Sequence, residues 1–127
     1  MSEKNKMIVM KFINEFVNGN IEASINYLSD DIKWNIVGMP SINGKQNFLR
    51  AMKMMGLWQT SPNENIPSND GRENIIAEGD FVVIENFDDL INKNGDHNNP
   101  AHCDIYRVEN GKIKEVTTYV VDISINE

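Results

Sequence analysis

The segment AHCDIYRVENGKIKEVTTYVVD, residues 101–122, constrains the fold of this chain more than any other. Residues 102–109 and 112–123 are rich in β-branched and aromatic side chains, which favour strands. Between them, Asn110-Gly111 occupies the two central positions of a turn. A type I′ turn needs positive φ at both of these positions, and Asn and Gly adopt positive φ with less steric strain than other residues. The sequence therefore predicts a long β-hairpin.

Two titratable side chains lie on the first strand of this hairpin. His102 and Asp104 are two residues apart, so both point to the same face as Tyr106, while Cys103 and Arg107 point to the other. In an apolar pocket, burial raises the pKa of a carboxyl group, which makes Asp104 the first candidate for a general base. His102 is the candidate partner that orients Asp104 or shares its proton. The alternatives are a structural carboxylate bonded to a neighbouring element and a histidine in water at the rim.

Length and charge limit the classes of protein to consider. The chain has 127 residues, which predicts one domain spanning residues 1–127. Its net charge of −7 argues against nucleic acid and against membrane surfaces as partners. A single cysteine excludes an intramolecular disulfide. No stretch approaches the roughly 20 apolar residues of a membrane span, and we expect a cytoplasmic location.

Helical and strand patterns are segregated along the chain. The N-terminal half predicts three helices and one strand: Ser2–Val17, Ile21–Leu28, the strand Ile32–Val37, and Lys45–Leu57. Asn18-Gly19-Asn20 is a helix stop. Further strands are expected at Ile75–Glu78 and Phe81–Ile91, with a loop or edge strand before them at Gln59–Asp70 and a polar connection after them at Lys93–Pro100. This order predicts an α+β fold, in which a curved antiparallel sheet packs on three N-terminal helices and encloses a hydrophobic pocket.

Metal and cofactor sites are not expected. The two histidines, His97 and His102, are separated by a loop that contains asparagine and proline, and a catalytic zinc needs three converging ligands. No glycine-rich phosphate loop follows a strand and opens a helix, which argues against a nucleotide cofactor.

The chain resembles the SnoaL-like branch of the nuclear transport factor two and ketosteroid isomerase-like superfamily. The resemblance covers nearly the whole chain and lies in DDIKWNIVG, a Gly-Lys helix start, IIAEGDFVVIE, and HCDIYRVENGKIKE followed by YVVD. It implies a cone-shaped fold of the cystatin-like α+β roll type with a deep apolar pocket. It also implies a homodimer formed through the outer sheet face.

The pocket of such a fold is expected to hold residues from the first and third helices and from four strands. Trp34 and Asp88 have plainer alternatives, as a core tryptophan and as a solvated residue at a strand end. For the methionines of the third helix, ordinary core packing is the favoured alternative to covering a cavity. The expected pocket residues are Phe16, Trp34, Ile36, Met52, Met55, Asn86, Asp88, Tyr106, Val116 and Thr118.

The known activities of the superfamily match only in part. SnoaL-like cyclases use the acidic residue of the D-x-[Y/F]-R position, here Asp104, but carry His and Asp where this chain has Val116 and Thr118. The Asp-Arg-Asp triad of limonene epoxide hydrolases falls on Asp88, Asn86 and Thr118, which lacks the arginine. The ketosteroid isomerase constellation is also missing, because the first helix offers no tyrosine.

Two hypotheses therefore remain. In the first, the chain is a cofactor-independent isomerase, cyclase or lyase that uses Asp104 as acid and base on a small hydrophobic carbonyl compound. In the second, it is a non-catalytic domain that binds a small hydrophobic molecule, or a dimeric accessory domain. The retained His102 and Asp104 favour the first hypothesis, and the substitutions at Val116 and Thr118 favour the second.

Overall fold

The computed structural model describes residues 2–59, 65–67, 72–87, 90–92 and 97–124. Its helices are α1 (Ser2–Val17), α2 (Ile21–Ser24) and α3 (Lys45–Gln59), with a 3-10 turn at Ile25–Tyr27. Its strands are β1 (Leu28–Ile36), β2 (Ile42–Asn43), β3 (Asn65–Pro67), β4 (Arg72–Glu78), β5 (Phe81–Phe87), β6 (Leu90–Asn92), β7 (His97–Glu109) and β8 (Lys112–Ser124). None of the described helices has the length and apolar character needed to cross a membrane.

The described strands form one mixed sheet. Six of them follow the order β2-β1-β8-β7-β5-β4, while β6 pairs with β7 and β3 pairs with β6 as an edge strand. Every pair is antiparallel except β1 and β8, which run parallel. The sheet is therefore mixed, because the predicted antiparallel pairing does not hold for β1 and β8. A parallel pair requires a long crossover, and turn signals in a sequence report only pairings between neighbouring strands.

The long hairpin forms as predicted, but one residue interrupts its ladder. Asn110 and Gly111 have φ of 55° and 79°, as a type I′ turn requires. Val108 pairs with Ile113 near the turn, whereas Arg107 pairs with Glu115, so Lys114 is an extra residue in β8. Such a bulge shifts the register of every later pair by one residue.

The C-terminal ends of α1 and α2 have different causes: hydrogen bonds end the first helix, and the start of a buried strand ends the second. The N–H of Asn20 donates to the carbonyl of Glu15 at 2.8 Å and that of Gly19 to Phe16 at 3.1 Å, which is a Schellman motif with Gly19 at φ 85°. The second helix is shorter than predicted. Leu28 already belongs to β1, where it is fully buried and pairs with Ile113.

The core lies between helices α1 and α3 and the inner face of the sheet. Its side chains come from both helices and from strands β1, β5, β7 and β8, which explains why apolar residues recur at helical spacing early in the chain and at alternate positions later. The buried apolar residues are Val9, Phe12, Leu28, Ile32, Trp34, Phe48, Met52, Val82, Ile84, Tyr106, Val108, Ile113 and Val116.

Candidate functional site

A cavity of about 420 Å³ opens between the two long helices and the inner face of the sheet. This volume falls within the range of small-molecule binding sites. The helices contribute apolar side chains, and the polar side chains come from the strands. The lining residues are Phe12, Ile13, Phe16, Trp34, Phe48, Met52, Glu73, Ile84, Asn86, His102, Asp104, Tyr106, Val116, Thr118 and Val120.

The sheet arranges the lining residues in three rows that cross the strands. Because paired residues on neighbouring strands share a face, each row presents its side chains together. The rows are Glu73–Asn86–His102–Val120, then Ile84–Asp104–Thr118, then Tyr106–Val116–Trp34. Polarity therefore changes along the strands. Polar groups predominate in the first row and apolar side chains in the third.

A chain of two hydrogen bonds holds Asp104 in place. The indole N–H of Trp34 donates to Thr118 Oγ1 at 2.9 Å, and the Thr118 hydroxyl donates to Asp104 Oδ1 at 2.6 Å. An indole nitrogen can only donate, so Thr118 uses a lone pair on Trp34 and keeps its proton for the carboxylate. The arrangement orients Asp104 and favours its ionised form. Oδ2 of Asp104 makes no hydrogen bond to the described part of the chain.

The environment of Asp104 favours proton transfer. Burial raises the pKa of Asp104 above its ordinary value, and the hydrogen bond from Thr118 and the nearby imidazole of His102 oppose this rise. A carboxyl group with a raised pKa is a stronger base than one in water. A raised pKa and an orientation fixed by Thr118 are the properties that the predicted base requires.

His102 belongs to the polar row next to Asp104. Its Nε2 lies 3.1 Å from the amide nitrogen of Asn86, from which it accepts a hydrogen bond when it carries no proton. Glu73, which pairs with Asn86 across β4 and β5, is exposed at the same end of the cavity. These three residues give that end a polar border.

Aromatic rings line the opposite end. The ring centroids of Trp34 and Phe48 are 4.7 Å apart, and Phe12 meets both Phe48 and Tyr106 edge-on at 6.1 Å and 6.2 Å. Burial and the negative charges of Asp104 and Glu73 raise the pKa of Tyr106 well above its ordinary value. The phenol therefore stays protonated and remains a hydrogen-bond donor.

Most of the predicted site residues meet in this cavity. Ile36 does not line it: this residue pairs with Thr118 at the end of β1 and packs against the core. The side chain of Met55 and all of Asp88 lie outside the described residues. The catalytic roles of His102 and Asp104 stay predictions. The predicted residues that do line the cavity are Phe16, Trp34, Met52, Asn86, His102, Asp104, Tyr106, Val116 and Thr118.

Glu73 is the lining residue whose omission from the sequence prediction matters most. The two-residue turn at Gly79-Asp80 sets the register of β4 and β5, and this register places Glu73 opposite Asn86. That signal was available in the sequence once the turn was recognised. The other residues not predicted lie on the apolar helix faces or on strand positions of matching parity: Phe12, Ile13, Phe48, Ile84 and Val120.

Among the residues that the structure describes, no group of three or more His, Cys, Asp or Glu side chains is placed to hold a metal ion. The polar groups of the cavity are instead two carboxylates, an imidazole, an amide, an indole N–H and two hydroxyls. These groups can bind or transfer protons and can hydrogen-bond to an organic ligand.

Three solved structures show how widely this fold occurs. A nuclear transport factor two-like protein from Burkholderia xenovorans is 16% identical, with a TM-score of 0.75 over 95% of this chain and 92% of that one. A nuclear transport factor two-like protein of unknown function from Cytophaga hutchinsonii is 27% identical, with a TM-score of 0.68 over 91% and 97%. An LEH-like epoxide hydrolase from M. tuberculosis is 21% identical, with a TM-score of 0.68 over 94% and 84%.

These likenesses confirm the predicted α+β cone fold and the resemblance to the superfamily. No curated protein sequence matches the chain. The model of the SnoaL-like domain matches residues 9–116, from the first helix to the middle of the last strand. The match spans most of the chain, and the protein therefore belongs to the SnoaL-like domain family.

Proposed function

We propose that the protein is a cofactor-independent isomerase, cyclase or lyase that acts on a small hydrophobic carbonyl compound. The observation that carries the proposal is the Asp104 carboxylate, which is held at one oxygen by Thr118 inside a largely apolar cavity. Such a carboxylate combines a raised pKa with a defined orientation, and general bases require both.

The proposed chemistry begins with the removal of a proton next to the carbonyl group. Asp104 accepts this proton, and the electron pair of the broken C–H bond moves into an enolate. Return of the proton from Asp104 to a different carbon gives an isomer. Attack of the enolate carbon on a second carbonyl carbon of the same compound closes a ring, and Asp104 returns its proton to the alkoxide that forms. Departure of a β substituent with its bonding electrons gives an alkene, and Asp104 returns its proton to the leaving group. The chain from Trp34 through Thr118 keeps the carboxylate oriented in each case.

The alternative is a domain that binds a hydrophobic molecule without converting it. Val116 favours this alternative, because it lines the cavity where the resembling cyclases carry histidine. The hydrogen bond from Thr118 also satisfies Asp104 within the protein, as it would in a purely structural carboxylate. Proton exchange at a bound ketone separates the two hypotheses.

The test uses 2-tetralone in deuterated water and follows deuterium incorporation next to its carbonyl group by proton NMR. We expect the wild type to accelerate exchange above the buffer rate and Asp104→Asn to reduce this acceleration by about 100-fold or more. Asp80→Asn is the matched control, since Asp80 is exposed in the turn before β5, and it should exchange like wild type. Acceleration that survives in Asp104→Asn, or none in wild type, would refute the proposed reaction.

A further inference from the structure

Tyr106 carries a buried hydroxyl group with no hydrogen-bond partner in the described part of the chain. The residue is only 5% exposed, and it lines the cavity. The polar groups of its neighbours on the inner face do have hydrogen-bond partners, because Trp34 donates to Thr118 and Thr118 donates to Asp104. Folding normally pairs buried polar groups, so an unpaired hydroxyl on a residue that lines a cavity indicates a group kept for a ligand.

The position of Tyr106 relates this hydroxyl to Asp104. The two residues are two positions apart on the same face of β7, so their Cα atoms are separated by about 6.5–7 Å. Tyr106 also pairs with Val116, whose other neighbour is Trp34. A ligand that reaches the aromatic end of the cavity can therefore meet the phenol and the carboxylate together.

The charges around the cavity limit what the ligand can be. Glu73 and Asp104 are both among the lining residues, and no lysine or arginine is found among those described. A ligand carboxylate would add a third negative charge beside two others in a partly desolvated space, where like charges repel strongly. An uncharged oxygen acceptor avoids this repulsion and can still receive the phenol proton in a hydrogen bond.

We propose that Tyr106 is the residue that recognises the ligand, by donating a hydrogen bond to the carbonyl oxygen of an uncharged hydrophobic compound, and that the site rejects the corresponding carboxylate. The inference deepens the proposed function and rests on it for the reaction step. During that step Asp104 takes the proton from carbon, and the phenol O–H of Tyr106 stabilises the enolate oxygen without losing its own proton.

Three probes that share one bicyclic ring system test the binding step by ligand-observed NMR titration. They are 2-tetralone, tetralin without the oxygen, and 1,2,3,4-tetrahydronaphthalene-2-carboxylate. We expect wild type to bind the ketone about tenfold more tightly than tetralin, as one buried hydrogen bond provides, and to bind the carboxylate most weakly. Tyr106→Phe should bind ketone and tetralin equally. Tyr119→Phe is the matched control, since Tyr119 is 46% exposed on the outer face, and it should bind all three probes like wild type.

A stability measurement separates a ligand-binding hydroxyl from a structural one. Tyr106→Phe removes only the hydroxyl, so without ligand it should unfold at the same urea concentration as wild type or at a higher one. A clear loss of stability would mean that the hydroxyl has a partner within the protein, and would overturn the inference. The inference would also be overturned if wild type binds none of the probes, or if Tyr106→Phe keeps the preference for the ketone.

The binding measurement tests recognition by Tyr106, and the exchange measurement tests the reaction at Asp104, so either hypothesis can be refuted without the other. If ketone binding depends on Tyr106 but wild type exchanges no deuterium, the ligand recognition stands and the proposed reaction is wrong. If exchange depends on Asp104 but ketone binding ignores Tyr106, the proposed reaction stands and the recognition by Tyr106 is wrong. Tight binding of the carboxylate probe contradicts the argument from charge.

Discussion

Replacing Thr118 by valine tests the hydrogen-bonded chain that defines the site. Valine has nearly the shape of threonine and lacks the hydroxyl, so the substitution removes two hydrogen bonds and little packing. Thr118 is 8% exposed, and its hydroxyl both accepts from Trp34 at 2.9 Å and donates to Asp104 at 2.6 Å. The change therefore leaves an indole N–H without an acceptor and a carboxylate without a donor.

The expected cost follows from these two contacts. A hydrogen bond to a charged group contributes about 1.5–3 kcal/mol, and a buried donor left unpaired costs about 1–3 kcal/mol. The new methyl group returns about 1 kcal/mol through burial of apolar surface. We expect Thr118→Val to lower the free energy of unfolding by about 2–4 kcal/mol, and the melting temperature by roughly 10 °C for a domain of this size.

Urea denaturation followed by circular dichroism measures this difference, and NMR reports the indole proton of Trp34 directly. Thr117→Val is the matched control. Thr117 is the next residue of β8, and its Oγ1 accepts only a long 3.4 Å contact from Asn35. The control should cost under about 1 kcal/mol, because weak partly exposed hydrogen bonds contribute little. The reasoning is refuted if Thr118→Val is no more destabilising than Thr117→Val.

Two further substitutions examine the electrostatics of the site and the turn that organises the sheet. Burial raises the folded-state pKa of Asp104 above the value of about 3.9 in unfolded chains, so its ionisation lowers stability as the pH rises from about 4 through the folded-state pKa. Asp104→Asn removes this dependence, and urea titrations should show its stability relative to wild type increasing between pH 4 and pH 8; a constant difference would contradict the raised pKa. Gly111→Ala should lower the free energy of unfolding by about 1–2 kcal/mol. The cause is backbone strain at φ 79° alone, since nothing lies within 4 Å of the added Cβ. A melting temperature equal to that of wild type would contradict the type I′ turn.

Local patterns in the sequence predicted the elements of this fold and many residues of the site. Asn110-Gly111 predicts the turn because few residue pairs tolerate positive φ twice. Strand alternation predicts that His102, Asp104 and Tyr106 share a face, and all three line the cavity. Each of these inferences depends on residues within a few positions of one another. Over such short distances the backbone geometry fixes the direction in which each side chain points.

The arrangement that gives Asp104 its environment is not local. Counted from the turn alone, Asp104 would lie opposite Thr117; the extra residue Lys114 shifts the register, so that Thr118 lies there instead. A bulge leaves no clear signal in the sequence, because it depends on how the sheet bends around the helices.

The parallel pairing of β1 with β8 is the second feature of the site that depends on the tertiary structure. It places Trp34 beside Val116 and within hydrogen-bond distance of Thr118, a residue 84 positions later in the chain. Short segments of sequence were enough to predict most of the side chains that face inward, because alternation and turn type are local properties of the chain. Only the folded sheet decided which of these side chains meet, because contacts between distant strands depend on register, crossover and packing together.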